Sequence, residues 1–267
     1  MMDRTGRAGL PARAGRASET DTRGVGPLAR GGADIGKIVR SESHVRYTCQ
    51  IYAPGETATP PAPEDYAFGS FVRIPLRTGA PLPDALIQPS GDTLPGHAPA
   101  ESWAVGLIYD TILMNPAFGA MGPRLSNDAQ VELFSPDYVT ERAALVLVLL
   151  LGAVERGADG RTRVSHGVPA LAPDLGAVVS PLGDEAVRAF HYFADEGADA
   201  AGSAGAPGRP YLHMGYLPHA VQLDNALLPM ALLRVIERLE TLFPERRALL
   251  SIVRRNFAWR LKVQPAG

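Results

Sequence analysis

From residue 34 to about residue 193, apolar positions fall in short runs of period two, separated by Gly- and Pro-rich stretches, which predicts strands. Ile35 to Arg40 is short and β-branched. After the polar turn Ser41-Glu42-Ser43, the segment Val45 to Tyr52 alternates, with Val45, Tyr47, Cys49 and Ile51 on one face and Arg46, Thr48 and Gln50 on the other. Phe68 to Pro75 and Trp103 to Leu113 read as two further strands. Pro75 ends the first, and the interior Gly106 marks a bulge or barrel corner in the second. The Pro-rich stretches 54–63 and 78–101 read as loops.

Ala143 to Val154 is an almost unbroken apolar run, which periodicity alone leaves between a helix and a buried strand. Ser135-Pro136 ahead of it looks like a capped helix start. Gly152, followed by Gly157-Ala158-Asp159-Gly160, favours a strand after residue 144 that turns back into Arg161 to Val168. Ala177 to Val179 is the last short strand, and Gly183-Asp184-Glu185 opens a short helix through Phe193. Five to seven short strands of this kind suggest a small closed or nearly closed barrel.

The pattern changes after residue 194. Asp195 to Gly208 is Ala, Gly, Asp and Pro and reads as a linker. From Asn225 the period is helical, with Leu228, Leu232, Ile236, Leu239 and Phe243 in one stripe. Pro229 is tolerable there only if the cap lies near Asn225. Pro244 starts a second helix, with Leu249, Val253, Phe257 and Leu261 expected on its buried side. The expected fold is therefore α+β: a disordered tail over 1–33, a small β-barrel over 34–193, a linker over 194–221, and a C-terminal helical hairpin over 222–267.

Composition changes this picture little. Hydrophobic residues make up 46% and charged residues 20% of the 267, ordinary values for a globular chain with material for a core. The longest apolar run, Ala143 to Leu151, is too short for a membrane helix, which needs about 20 residues. Charge adds an asymmetry. Residues 1–33 carry a net +3, residues 234–267 a net +5, and the middle a net −10. The acidic body argues against a nucleic-acid surface spread over the whole protein and leaves a local basic face at the C-terminus. The tail has no apolar core of a secretory signal and reads as an over-extended start or a plain flexible segment, which places the protein in the cytoplasm.

Candidate chemistry is sparse. Gly31 to Lys37 matches G-x-x-x-x-G-K, but Ile38 stands where a phosphate loop needs Ser or Thr, and a strand follows where a helix is needed. His213 and His219 stand six positions apart, around Met214 to Pro218, without a third ligand nearby. Ser165 and His166 are neighbours on a strand and face opposite ways. The single Cys49 sits among inward positions and reads as a buried inert thiol. Asp110, and Asp128 with Glu132, read as solvated carboxylates. No catalytic, metal or cofactor residue is therefore assigned. The candidate contacts for nucleic acid or a partner are Arg246, Arg247, Arg254 and Arg255, against the blander reading of a solvated or internally docked helix face.

Ile35-Gly36-Lys37-Ile38-Val39, then Phe68-Gly69-Ser70-Phe71-Val72-Arg73-Ile74, then Val105-Gly106-Leu107-Ile108-Tyr109 resemble the HAS-barrel, a small β-barrel named for HerA-type helicases and ATP synthases. Pro173 to Val179 is similar to the P-x-x-G-x-x-V segment that closes such barrels. The resemblance covers roughly residues 34–190. Members of that family usually continue into a P-loop ATPase domain, whereas this chain continues into a helical hairpin. The resemblance implies a stand-alone, non-catalytic accessory of a HerA-type ATPase, together with a NurA-type nuclease, in DNA-end processing or repair, docking through the barrel and free to form a homo-oligomer. The competing expectations are an enzyme with a small-molecule site at the barrel mouth and a DNA-binding protein using the basic helices. Neither involves a membrane.

Overall fold

The computed structural model describes residues 20–22, 32–76, 101–114, 143–156, 162–193 and 211–263. The chain is α+β. Its strands are β1 (Thr20–Thr22), β2 (Gly36–Ser41), β3 (Arg46–Ile51), β4 (Phe71–Pro75), β5 (Glu101–Met114), β6 (Ala143–Arg156), β7 (Thr162–His166), β8 (Val178–Pro181), β9 (Tyr192–Phe193) and β10 (Tyr211–Leu212). Its helices are α1 (Asp184–His191), α2 (Leu217–Gln222), α3 (Leu228–Leu242) and α4 (Arg247–Val263). Six strands close into a barrel in the order β6-β3-β2-β8-β4-β5 and back to β6, every pairing antiparallel.

Alternation fills the barrel. Ile38, Tyr47, Cys49, Ile51, Val72, Ile74, Ala104, Ile108, Val146, Val148, Leu150 and Val179 belong to one buried cluster inside it. The interior is thus occupied by side chains rather than left as a chamber. The intervening residues of β4, β5 and β6, among them Phe71, Val105, Leu107, Tyr109, Leu149 and Leu151, form a second buried cluster with the helices. β5 and β6 are consequently buried on both faces in their central stretches, which is why Ala143–Val154 has no apolar period in the sequence.

Two glycines explain how close the strands come. A Cβ on Gly36 would strike the Gln50 carbonyl of β3, and one on Gly106 would strike Val148 of β6. Gly106 also sits at a register shift in the β5–β6 ladder, the bulge expected there.

β7 lies outside the closed circuit and pairs with the distal half of β6, from Gly152 to Arg156. β1 extends that edge by pairing Thr20–Thr22 with β7, so this part of the expected disordered tail is a strand. A single added strand needs no core of its own, because β7 supplies the hydrogen-bonding groups. Residues 1–19 and 23–31 of the tail, the helix start at Ser135, Asp128, Glu132, and residues 77–100 and 194–210 lie outside the described residues.

The stretch expected as linker is structured in its last third. β10 pairs with β9, and α2 follows, with Tyr216 and Ala220 fully buried against the barrel wall. Elements of two and six residues are too short to show a period in the sequence. The helices do not form a separate body: Leu228, Leu232, Ile236, Leu239 and Phe243 share the buried cluster of β4–β6. Asn225 caps the approach to α3, its Oδ1 accepting from the Leu227 and Leu228 N–H groups at 2.9 and 3.1 Å. Pro229 then lies in the first turn, where no intrahelical donor is needed.

Replacing Gly36 by Ala forces backbone apart at β2–β3. Gly36→Ala is expected to destabilise the protein by about 3 kcal/mol, read as a lowered urea midpoint with an unchanged slope. A midpoint equal to the parent's would contradict the close approach.

Candidate functional site

The four arginines singled out above occupy different environments. Arg246 closes the 3-10 turn Pro244–Arg246 and Arg247 begins α4, both at the surface. Arg254 turns inward. Its Nε lies 3.2 Å from Glu240 and its Nη1 3.6 Å from Glu237, both on α3. Glu240 is only 9% exposed, so this pair pins the two helices together. Arg255, one residue on, is exposed. Arg254 is thus engaged by α3, while Arg246, Arg247 and Arg255 are exposed.

The buried ridge of α4 is also shifted from expectation. Leu250, Val253 and Phe257 meet the core, and Leu249, expected to be buried, is 53% exposed. A helix advances about 100° per residue, so a helix seated on Leu250 carries Leu249 out of the interface. Ile252 and Trp259 share that outward side, at 53% and 63% exposure. A second exposed apolar run is at the far end of the β5–β6 ribbon, where Ile112, Leu113 and Met114 are 44%, 80% and 52% exposed, and Val168 and Leu175 are exposed before β8. Runs of large apolar residues in water are a mark of contact surfaces.

A cluster of histidines missed in the sequence lies between the barrel wall and the helices. His166 ends β7, His191 ends α1, and His213 follows β10. The His166 ring centroid is 4.7 Å from that of His213 and 5.9 Å from that of His191. His166 Nε2 donates to the Phe190 carbonyl at 2.8 Å, and its Nδ1 accepts from the Gly215 N–H at 3.1 Å. His191 Nδ1 donates to the Val187 carbonyl at 2.7 Å, and its Nε2 is hydrogen-bonded to the Tyr216 hydroxyl at 2.9 Å. His166 gives one proton and receives one, which only its neutral form can do. Burial lowers His166 to about 3 and His191 to about 4, with neighbouring histidines pushing the same way. Burial also lowers His213 and raises Tyr216. These rings hold α1, β10 and α2 to β7. Among the described residues, no three His, Cys, Asp or Glu side chains are placed to hold a metal ion. Spacing could not reveal the cluster, because its members are drawn from three separate segments.

The remaining candidates are dispersed. His219 Nε2 meets the Leu150 carbonyl at 3.0 Å, apart from the His213 bond network. Cys49 is fully buried, its thiol pushed up to about 12. Lys37 lies within β2, paired with Gln50 and Val178, so no helix follows the G-x-x-x-x-G-K stretch. A groove of about 280 Å³ is lined by Glu64, Asp65, Ser70, Phe71, Asp184 and Arg238 with neighbours. Arg238 is bound there to Asp184 at 2.6 Å, and none of the shifted histidines reaches it.

Two measurements follow from these environments. Arg254→Ala strands a buried carboxylate and is expected to cost about 1–3 kcal/mol, whereas Arg255→Ala stays within about 0.5 kcal/mol. Equal effects in urea titrations would refute the division. The histidines bind fewer protons folded than unfolded, so their contribution is complete above about pH 6.5 and is lost as pH falls toward 4. Stability is expected to drop between pH 6.5 and 5, ahead of the carboxylate range, by about 1.4 kcal/mol per pH unit for each proton taken up. A flat profile across that window would exclude neutral buried rings.

No curated protein matches the chain. The sequence matches the family described as a domain of unknown function (DUF8166) over residues 27–79 and 97–266, which include the barrel and all four helices. The chain belongs to that family.

Proposed function

We propose that this member of the DUF8166 family is a non-catalytic assembly module of a HerA-type DNA translocase, acting in the cytoplasm in DNA-end processing or repair. One observation carries the reading. The four segments that resemble the HAS-barrel enter β2, β8, β4 and β5, and these are consecutive neighbours around the closed sheet. Segments scattered over 140 or so residues of sequence thus belong to one continuous wall, as a shared barrel requires. The glycines of those motifs, Gly36 and Gly106, sit where strands approach too closely for a side chain.

A packed barrel interior leaves binding to the outside. The ribbon end puts three consecutive large apolar residues of a barrel strand, Ile112, Leu113 and Met114, in water, and we assign docking on the translocase ring to it. No helix among the described residues is long and apolar enough to cross a membrane.

The test is a titration of the full chain against a purified HerA-type ATPase from the same organism, with a NurA-type nuclease present and absent. Co-elution from a sizing column is expected, and Leu113→Asp with Met114→Asp is expected to weaken binding by at least about tenfold. Failure of the parent chain to bind the ring would withdraw the assignment. Binding that survives the double variant would move the contact elsewhere on the barrel.

A further inference from the structure

The outward side of α4 carries a second apolar ridge that the fold does not use. Leu249, Ile252, Asn256 and Trp259 follow one another at steps of three, four and three, the spacing of the a and d positions in a two-stranded coiled coil. Leu249, Ile252 and Trp259 are each more than half exposed, and Asn256 between them is also exposed. The inward ridge, Leu250, Val253 and Phe257, is a different set of residues already committed to the core. A surface helix needs one apolar ridge to fold against its domain. A second one facing water is a seam awaiting a partner.

We infer that this seam docks an acidic amphipathic helix of a partner protein. Charge selects the occupant. Residues 247–263 contain four Arg and one Lys and no Asp or Glu. A second copy of α4 brings no acid to the exposed Arg255 at the margin of the seam, whereas Glu residues flanking a partner's apolar ridge meet it. Asn256 narrows the choice further. A polar residue at an a position fixes register in a helix pair at some cost in stability, and it interrupts the broad apolar face that lipid insertion requires. Duplex DNA would engage the arginines and leave Leu249, Ile252 and Trp259 in water. The inference is independent of the translocase assignment, which uses the opposite kind of element, the β5–β6 ribbon.

The probe is a fluorescein-labelled peptide of about four heptads with Leu at a and d, one Asn at a central a, and Glu at the flanking e and g positions. Its anisotropy is read as the full chain is added, beside a control peptide with Lys in place of Glu. Binding of the Glu peptide at a micromolar Kd is expected, with none for the Lys peptide. Ile252→Asp and Trp259→Ala should each weaken it by at least about tenfold, and Arg255→Glu should weaken it too. Because these side chains are exposed, circular dichroism and thermal melting of the variants should match the parent. No binding of the Glu peptide by the correctly folded parent overturns the inference, as does binding that Ile252→Asp leaves unchanged. A chain that sediments as a dimer and dissociates with Ile252→Asp assigns the seam to a second copy instead. Capture of a duplex oligonucleotide or of phosphatidylserine vesicles, lost in Ile252→Asp while the Glu peptide fails to bind, likewise overturns it.

Discussion

The central stretches of β5 and β6 are buried on both faces, and the rest of the molecule is arranged around that condition. Their inward residues fill the barrel, and their outward residues would leave a broad apolar wall in water without α1, α2 and α3. Each large side chain buried in that layer is worth about 1.5–3 kcal/mol relative to exposure, so barrel and helices stand or fall together. The helical hairpin is therefore the outer half of a core whose inner half is the strand pair. This also accounts for the position of the histidines. Segment 211–222 has little regular structure of its own, a two-residue strand and a six-residue helix, and packs Leu212, Met214, Tyr216, Leu217 and Ala220 against the core. His166, His191 and Tyr216 add to that packing through hydrogen bonds to backbone and to one another, made in a site dry enough to keep both imidazoles neutral.

The strands were readable because most obey period two or end at Pro and Gly. Val45 to Tyr52 shows its inward residues directly, and Tyr47, Cys49 and Ile51 are buried as that alternation requires. The run from Ala143 was harder, since two-sided burial erases the period that distinguishes a strand from a helix; the glycines beyond it resolved the choice. Closure of the circuit was legible only as a tendency, because which strand pairs with which depends on contacts far apart in sequence. The pairing of β2 with β8, separated by more than a hundred residues, has no local signal.

The functional surface was less legible for a related reason. Amphipathic periodicity reports one apolar face, and α4 has two. Leu249 and Leu250 are adjacent and chemically identical, so a stripe drawn through either fits the sequence. Contact with α3 decides between them, and the loser becomes surface. The same rotation separates Arg254 from Arg255. One arginine is held by Glu237 and Glu240 and belongs to the fold, while the next faces water beside the outward ridge.

That separation has a consequence for how the two sides of α4 can vary. The inward side is constrained by a nearly buried carboxylate and by close packing, where a lost charge or a lost methylene costs kilocalories. The outward side is constrained by nothing within the described chain. A ridge of Leu, Ile and Trp more than half in water lowers solubility and lies outside the two buried clusters that hold the described fold together. The same holds for Leu113 and Met114 at the ribbon end. One patch lies on strands that the barrel extends past its own wall, the other on the helix packed outside α3. They differ in chemistry: the first is a short apolar run, and the second is an apolar ridge with the exposed Arg255 at its margin. Neither lies on the layer that joins barrel to helices, so each can change without disturbing the core that holds the two together.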